Sequence, residues 1–133
     1  LILTWTRSHT FYAQMVCNRL FALLLNVVKE DDVKSVFAAI LQENEAAYYN
    51  YRNILPENQW RLLSAIAKEG SVSSPTSNSF IHRHGLGSSS AVLKSVKALL
   101  EKEFVYREVL DNKKALAVYD VFFSRWLEKL KMG

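Results

Sequence analysis

Apolar positions recur at helical spacing through most of the chain. After Ser8, a residue type that caps helices, Tyr12, Val16, Leu20, Leu23, Leu24 and Val27 form one stripe, and Phe11 and Met15 widen it. The acidic triplet Glu30-Asp31-Asp32 ends that segment and opens the next, since Asp is favoured at helix N-caps. Val33, Val36, Phe37, Ile40, Leu41, Tyr48, Tyr51 and Leu55 then keep helical spacing for several turns. The pattern predicts a helical hairpin over residues 1–55 whose aromatic face needs a cover.

Pro56 marks a new start, because proline suits the first turn of a helix. "ENQWRLLSAIAKEG" predicts a helix with Trp60, Leu63, Ile66 and Ala67 on one side, stopped by Gly70. A loop or extended piece, "SVSSP", leads to a short helix, "TSNSFIHRHG", capped by Thr76 or Ser77 and ended by Gly85. Leu86-Gly87 turns the chain into "SSSAVLKSVKALLEKE". There Val92, Val96, Leu99 and Leu100 share one face, while Ser90, Lys94, Lys97 and Glu101 share the other. The period then switches to alternation. "FVYREV" and "ALAVY" read as strands joined by a "DNKK" turn, where Asp111 and Asn112 tolerate left-handed backbone. Asp120 can cap a last helix carrying Phe122, Phe123, Trp126, Leu127 and Leu130. Helix, short helix, turn, helix and β-hairpin predict a mainly α fold with a small β-hairpin wing, a winged helix-turn-helix over residues 56–133.

Composition narrows this further. The 133 residues are 50% apolar and 23% charged, ordinary for a globular chain. The longest apolar runs are interrupted and too short to cross a bilayer, and no secretory leader is evident, so no membrane partner is expected. A single cysteine, Cys17, excludes an internal disulfide framework and fits the cytoplasm; its surroundings suggest a small core residue. Residues 1–56 balance five basic against five acidic side chains, so residues 57–133, with 12 against 8, carry the whole net +4. That excess is compatible with a polyanion partner.

The stretch "LPENQWRLLSAIAKEG…PTSNSFIHRHGLGSSSAVLKSVKALLEKEFVYRE…YDVFFSRWLEKL" resembles the C-terminal winged-helix region of archaeal-type AAA+/STAND P-loop ATPases, of the bacterial branch. The upstream "WTRSHTFYAQMVCNRL" is similar to the lid helix that follows their nucleotide-binding core. The "YD-x-FF-x-RWL" ending is the most specific part of the match. Arg7 to Thr10 replace a glycine-rich turn, and Val121 stands where the family often has proline. The resemblance implies an ATPase domain upstream of Leu1, binding ATP and magnesium, and a chain that begins at Leu1 rather than Met fits a piece of a longer protein. No G-x-x-x-x-G-K-[ST] occurs in these residues, and "LAVYD" lacks the following acid of a magnesium-holding strand. The 133 residues are expected to be non-catalytic and to hold no cofactor of their own.

The candidate chemistry is nucleic-acid contact. A helix-turn-helix places the start of its second helix in the major groove, and the wing touches the backbone. Ser88, Ser89, Ser90, Lys94 and Lys97 would face the DNA, Lys113 and Lys114 would sit at the wing tip, and Arg83, flanked by His82 and His84, precedes the turn. Hydroxyls and amides at a helix start suit phosphate. The helix carries no Arg, Asn or Gln, the usual bidentate readers, so the pattern favours phosphate contact over base reading. "HRH" is not a metal site, because residues two apart on a helix do not converge and no cysteine or acid completes the set. His9 belongs to the helix start, and a nucleotide-sensing role for it would rest on the resemblance alone. The alternative is a protein-interaction module, coupling the ATPase domain to a partner or a homo-oligomer through Tyr48, Tyr51 and Phe122, without DNA.

Overall fold

The computed structural model describes residues 1–23 and 27–130, and the chain forms two compact units, Leu1–Tyr48 and Tyr49–Gly133. The division falls upstream of the Leu55–Pro56 junction, inside a helix.

In the first unit α1 (Ile2–Trp5), α2 (Thr10–Ala22) and α3 (Glu30–Glu43) are followed by α4 (Glu45–Ile54), which carries the division. Val16 and Leu20 of α2 and Val33, Val36, Phe37, Ile40 and Leu41 of α3 are buried, as their spacing predicts. Trp5 stacks flat on Phe37 with ring centroids 3.9 Å apart. Arg19 reaches Glu43 with two hydrogen bonds of 2.6 Å, joining α2 to α3. These contacts make the expected hairpin.

Several local expectations are corrected. Ser8 does not cap α2: Arg7 and Ser8 both take left-handed backbone (φ 53° and 59°), so the chain reverses there and His9 occupies the cap without a side-chain bond. The first helix stops at Ala22, short of the predicted end; Leu23 and Val27 are exposed, and Leu24 lies outside the described residues. Phe11 and Met15 are also exposed, and so is Cys17, because α2 buries only the narrow face of Val16 and Leu20. The N-cap of α3 is Lys29 rather than an Asp, and the acids fill its first turn, where Asp32 accepts from the Lys29 amide at 2.9 Å. Asn44 splits the predicted long helix into α3 and α4, its side-chain amide donating to the Ile40 carbonyl at 2.8 Å.

The second unit follows the predicted order. Helices α5 (Glu57–Glu69), α6 (Asn78–His84) and α7 (Ser89–Glu101) lead to strands β1 (Val105–Leu110) and β2 (Lys113–Val118), then α8 (Val121–Lys129). This is a mainly α fold with a β-hairpin wing. Helix α5 is buried nearly all round from Leu62 to Ala67 and packs on α7, α8 and β2. Trp60, Leu63, Leu99, Leu116, Phe123 and Leu127 form the centre of the core. The "SVSSP" piece contributes a third pairing, since Val72 exchanges both backbone hydrogen bonds with Leu116, at 2.9 and 2.8 Å. β2 is therefore flanked on both edges, and Ala115 to Val118 are all buried where simple alternation would expose every second residue. Asp120 caps α8 as expected, accepting from the Phe123 amide at 3.2 Å. Tyr51 packs edge-on against Phe104 and Phe123, with centroids 5.3 and 5.2 Å away.

Candidate nucleic-acid interface

The turn between α6 and α7 sets the geometry of the site. Ser77 caps α6 through the Phe80 amide, and Gly85 ends it in left-handed backbone (φ 61°, ψ 45°). The Leu86 amide then returns to the Ile81 carbonyl at 3.0 Å, the six-to-one bond of a Schellman closure. Gly87, at φ 86°, redirects the chain so that Ser88 becomes the cap of α7. Nothing lies within 4 Å of a methyl group built on either glycine, so the constraint there is backbone conformation alone.

At the start of α7 the Ser88 hydroxyl accepts from the Ala91 amide at 3.2 Å and lies 3.2 Å from the Ser90 hydroxyl. The amides of Ser89 and Ser90, in the first turn, have no acceptor within the helix and carry the positive end of its dipole. Ser88, Ser89, Ser90, Lys94 and Lys97 are all exposed. Among the described residues no carboxylate pairs with Lys94 or Lys97. The opposite face buries Val92, Ser95, Val96 and Leu99. Lys102, at the far end, is engaged by Gln59 at 2.7 Å.

Arg83 is placed differently from its neighbours in sequence. It forms an ion pair with Glu69 at the end of α5, and His84 donates to the same carboxylate oxygen at 2.9 Å. The hydrogen bond from His84, followed by the charge of Arg83, holds the Glu69 carboxyl below the ordinary range. Arg83 is thus exposed but already engaged, while His82 is exposed.

The wing turn is tighter than the four residues expected. Asp111 and Asn112 alone make it, both left-handed (φ 50° and 64°), as a type I′ hairpin requires. Lys113 and Lys114 therefore belong to β2, paired with Leu110 and Val109. Both are exposed, yet strand alternation sends them to opposite faces of the wing, so they cannot act as one cluster.

The aromatic interface set is not a surface. Tyr48 and Phe122 are only 3% and 5% exposed, and Tyr51 is half-buried between Phe104 and Phe123. The large apolar residues that do face solvent are others, notably Phe11 and Phe21 on α2 and Leu93 on α7. Leu93 went unnoticed in the sequence although its spacing puts it between Ser89 and Lys97. Arg61, which lines an open depression beside Gly85 to Gly87 and pairs with Glu57 at 3.2 Å, was also missed. His9 sits edge-on to Tyr12 at the start of α2. Among the described residues no group of three or more His, Cys, Asp or Glu is arranged to hold a metal, and no helix is long and apolar enough to cross a membrane.

Residues 46–129 match the model of a family described as a probable winged helix domain. The chain belongs to that family. The match takes in every element from α5 to α8, hence the whole turn and wing just described. Searches of curated proteins and of solved structures return no match. In the winged helix domain the first turn of α7 and the tip of the wing are both exposed.

Proposed function

We propose that the winged helix domain docks on double-stranded DNA mainly through phosphate contacts. The observation that carries this reading is the exposed face of α7. It combines the first-turn amides of Ser89 and Ser90 and the exposed Ser89 hydroxyl with two lysines, Lys94 and Lys97, that no carboxylate neutralises among the described residues. Ser88 holds the helix start in place, and either Lys113 or Lys114 adds a backbone contact from the wing. Arg83 joins only by leaving Glu69. The net +4 of residues 57–133 supports the approach of a polyanion.

A titration of short duplex DNA against a salt series tests this. Binding is weak and strongly salt-dependent, and each phosphate-contacting lysine removed lowers the log-log salt slope by about one unit. Lys94→Glu/Lys97→Glu abolishes binding at moderate salt; unchanged affinity in that double variant rules out the α7 face.

On the resemblance of "WTRSHTFYAQMVCNRL" and "YDVFFSRWLEKL", the domain is the C-terminal, non-catalytic part of a cytoplasmic P-loop ATPase whose ATP and magnesium are held upstream of Leu1. A coding sequence with no Walker A motif upstream of Leu1 sinks that attachment. A second reading, contact with a protein partner or a second copy, is favoured by the exposed Phe11 and Phe21 on α2, 66% and 82% in solvent. It replaces the buried Tyr48 and Phe122 as the contact surface.

A further inference from the structure

Burial along α7 is inverted at two positions. Ser95 is 3% exposed, whereas Leu93 is 58% exposed. The first half of the inversion follows from position, because Ser95 lies on the buried face of α7 with Val92, Val96 and Leu99. Nothing comparable explains Leu93. Helical spacing puts it one turn from Ser89, Ser90 and Lys97, in the middle of the face that the DNA reading assigns to the groove. Most of a leucine side chain therefore stands in water, ringed by hydroxyls and an ammonium group.

A face of serines and lysines can hold phosphate, and its lysines can donate to guanine, but it offers nothing apolar to thymine. A leucine at its centre does, because the major groove exposes one apolar feature, the 5-methyl group of thymine. Lysines and helix-start amides would fix the distance of α7 from the backbone, and a branched side chain projecting from the same face would meet that methyl group. We propose that Leu93 is the base-reading residue of this domain, selecting a thymine by apolar contact with its methyl group. The inference rests on the DNA reading above and gives α7 a thymine-selective contact that lysine and serine do not supply.

The test uses the 133-residue chain and a randomised duplex pool, followed by replacement of each thymine in the selected site with deoxyuridine, which differs only by that methyl group. At one position the replacement weakens binding about fourfold, the worth of burying one methyl group. Leu93→Ala binds the two duplexes equally and keeps the wild-type salt slope. Because Leu93 is exposed, its circular dichroism and thermal midpoint stay those of the wild type. Wild-type protein that binds every thymine-to-deoxyuridine duplex equally overturns the role of Leu93 while leaving phosphate docking intact. A Leu93→Ala variant that still discriminates overturns it too. Failure of the wild type to bind any duplex at low salt overturns the DNA reading, and the base-reading role with it.

Discussion

Three serines in a row at the start of α7 have separable tasks. The Ser88 hydroxyl is spent on the Ala91 amide, whereas Ser89 and Ser90 follow it in the exposed first turn. Ser88→Ala should cost about 1 kcal/mol, the usual loss for a missing N-cap. For a unit of this size that lowers the thermal midpoint by roughly 5 °C. Ser89→Ala should leave the midpoint unchanged and weaken DNA binding instead. A midpoint that moves equally in both variants would show that the hydroxyls share one structural job. Caps of this kind were legible in the sequence at Asp120 and, as one of two candidates with Thr76, at Ser77; Ser88, read there as one of three serines at the helix start, accepts its amide in the same way. Ser8 looked equally suitable and failed, because two successive left-handed residues redirect the chain ahead of α2, a backbone choice that side-chain type does not announce.

Between elements, the Glu69 carboxylate is the tie from α5 to α6. It accepts from His84 and pairs with Arg83, so the end of the first helix of the helix-turn-helix is held by one side chain. Its carboxyl lies below the ordinary range, first through the His84 hydrogen bond and then through the Arg83 charge. A depressed carboxyl favours the folded state above the unfolded pKa, about 4.3, and that contribution fades as pH falls through the lower folded value. Urea midpoints measured at pH 6 and pH 3 should therefore drop further for the wild type than for Glu69→Gln. An equal drop in both proteins contradicts the tie. The same variant frees Arg83 and should raise the salt slope of DNA binding by about one unit. Sequence spacing did not disclose this contact, since Glu69 and Arg83 lie on different helices, joined by a loop whose Val72 pairs with Leu116 of β2. The helix boundaries were readable wherever Gly, Pro or Ser punctuated the chain. The break at Asn44 was not, because its cause is one side chain bonding back to the preceding turn.

Across the whole chain the two units carry different surfaces. Residues 57–133 hold the basic excess, while α2 in the first unit turns Phe11, Met15 and Phe21 outward and has Arg19 as its single charge, already paired with Glu43. Periodicity reports which residues share a face, not whether that face is covered. The aromatic content of the first half was therefore legible, but its assignment was not: Tyr48 went inside, and Phe11 and Phe21 stayed out. The second functional reading places protein contacts on this helix, since a contiguous exposed apolar patch marks an interaction site. If the face makes protein contacts, the chain should self-associate with concentration in sedimentation velocity, and Phe11→Ser/Phe21→Ser should remain monomeric. Both side chains are exposed, so the variant's stability should change by no more than about 0.5 kcal/mol per site. Its DNA salt slope should match the wild type, because the lysines on α7 are untouched. A wild type that stays monomeric at every concentration, together with a double variant of much lower thermal midpoint, would assign the two phenylalanines to the fold and remove α2 as a docking face.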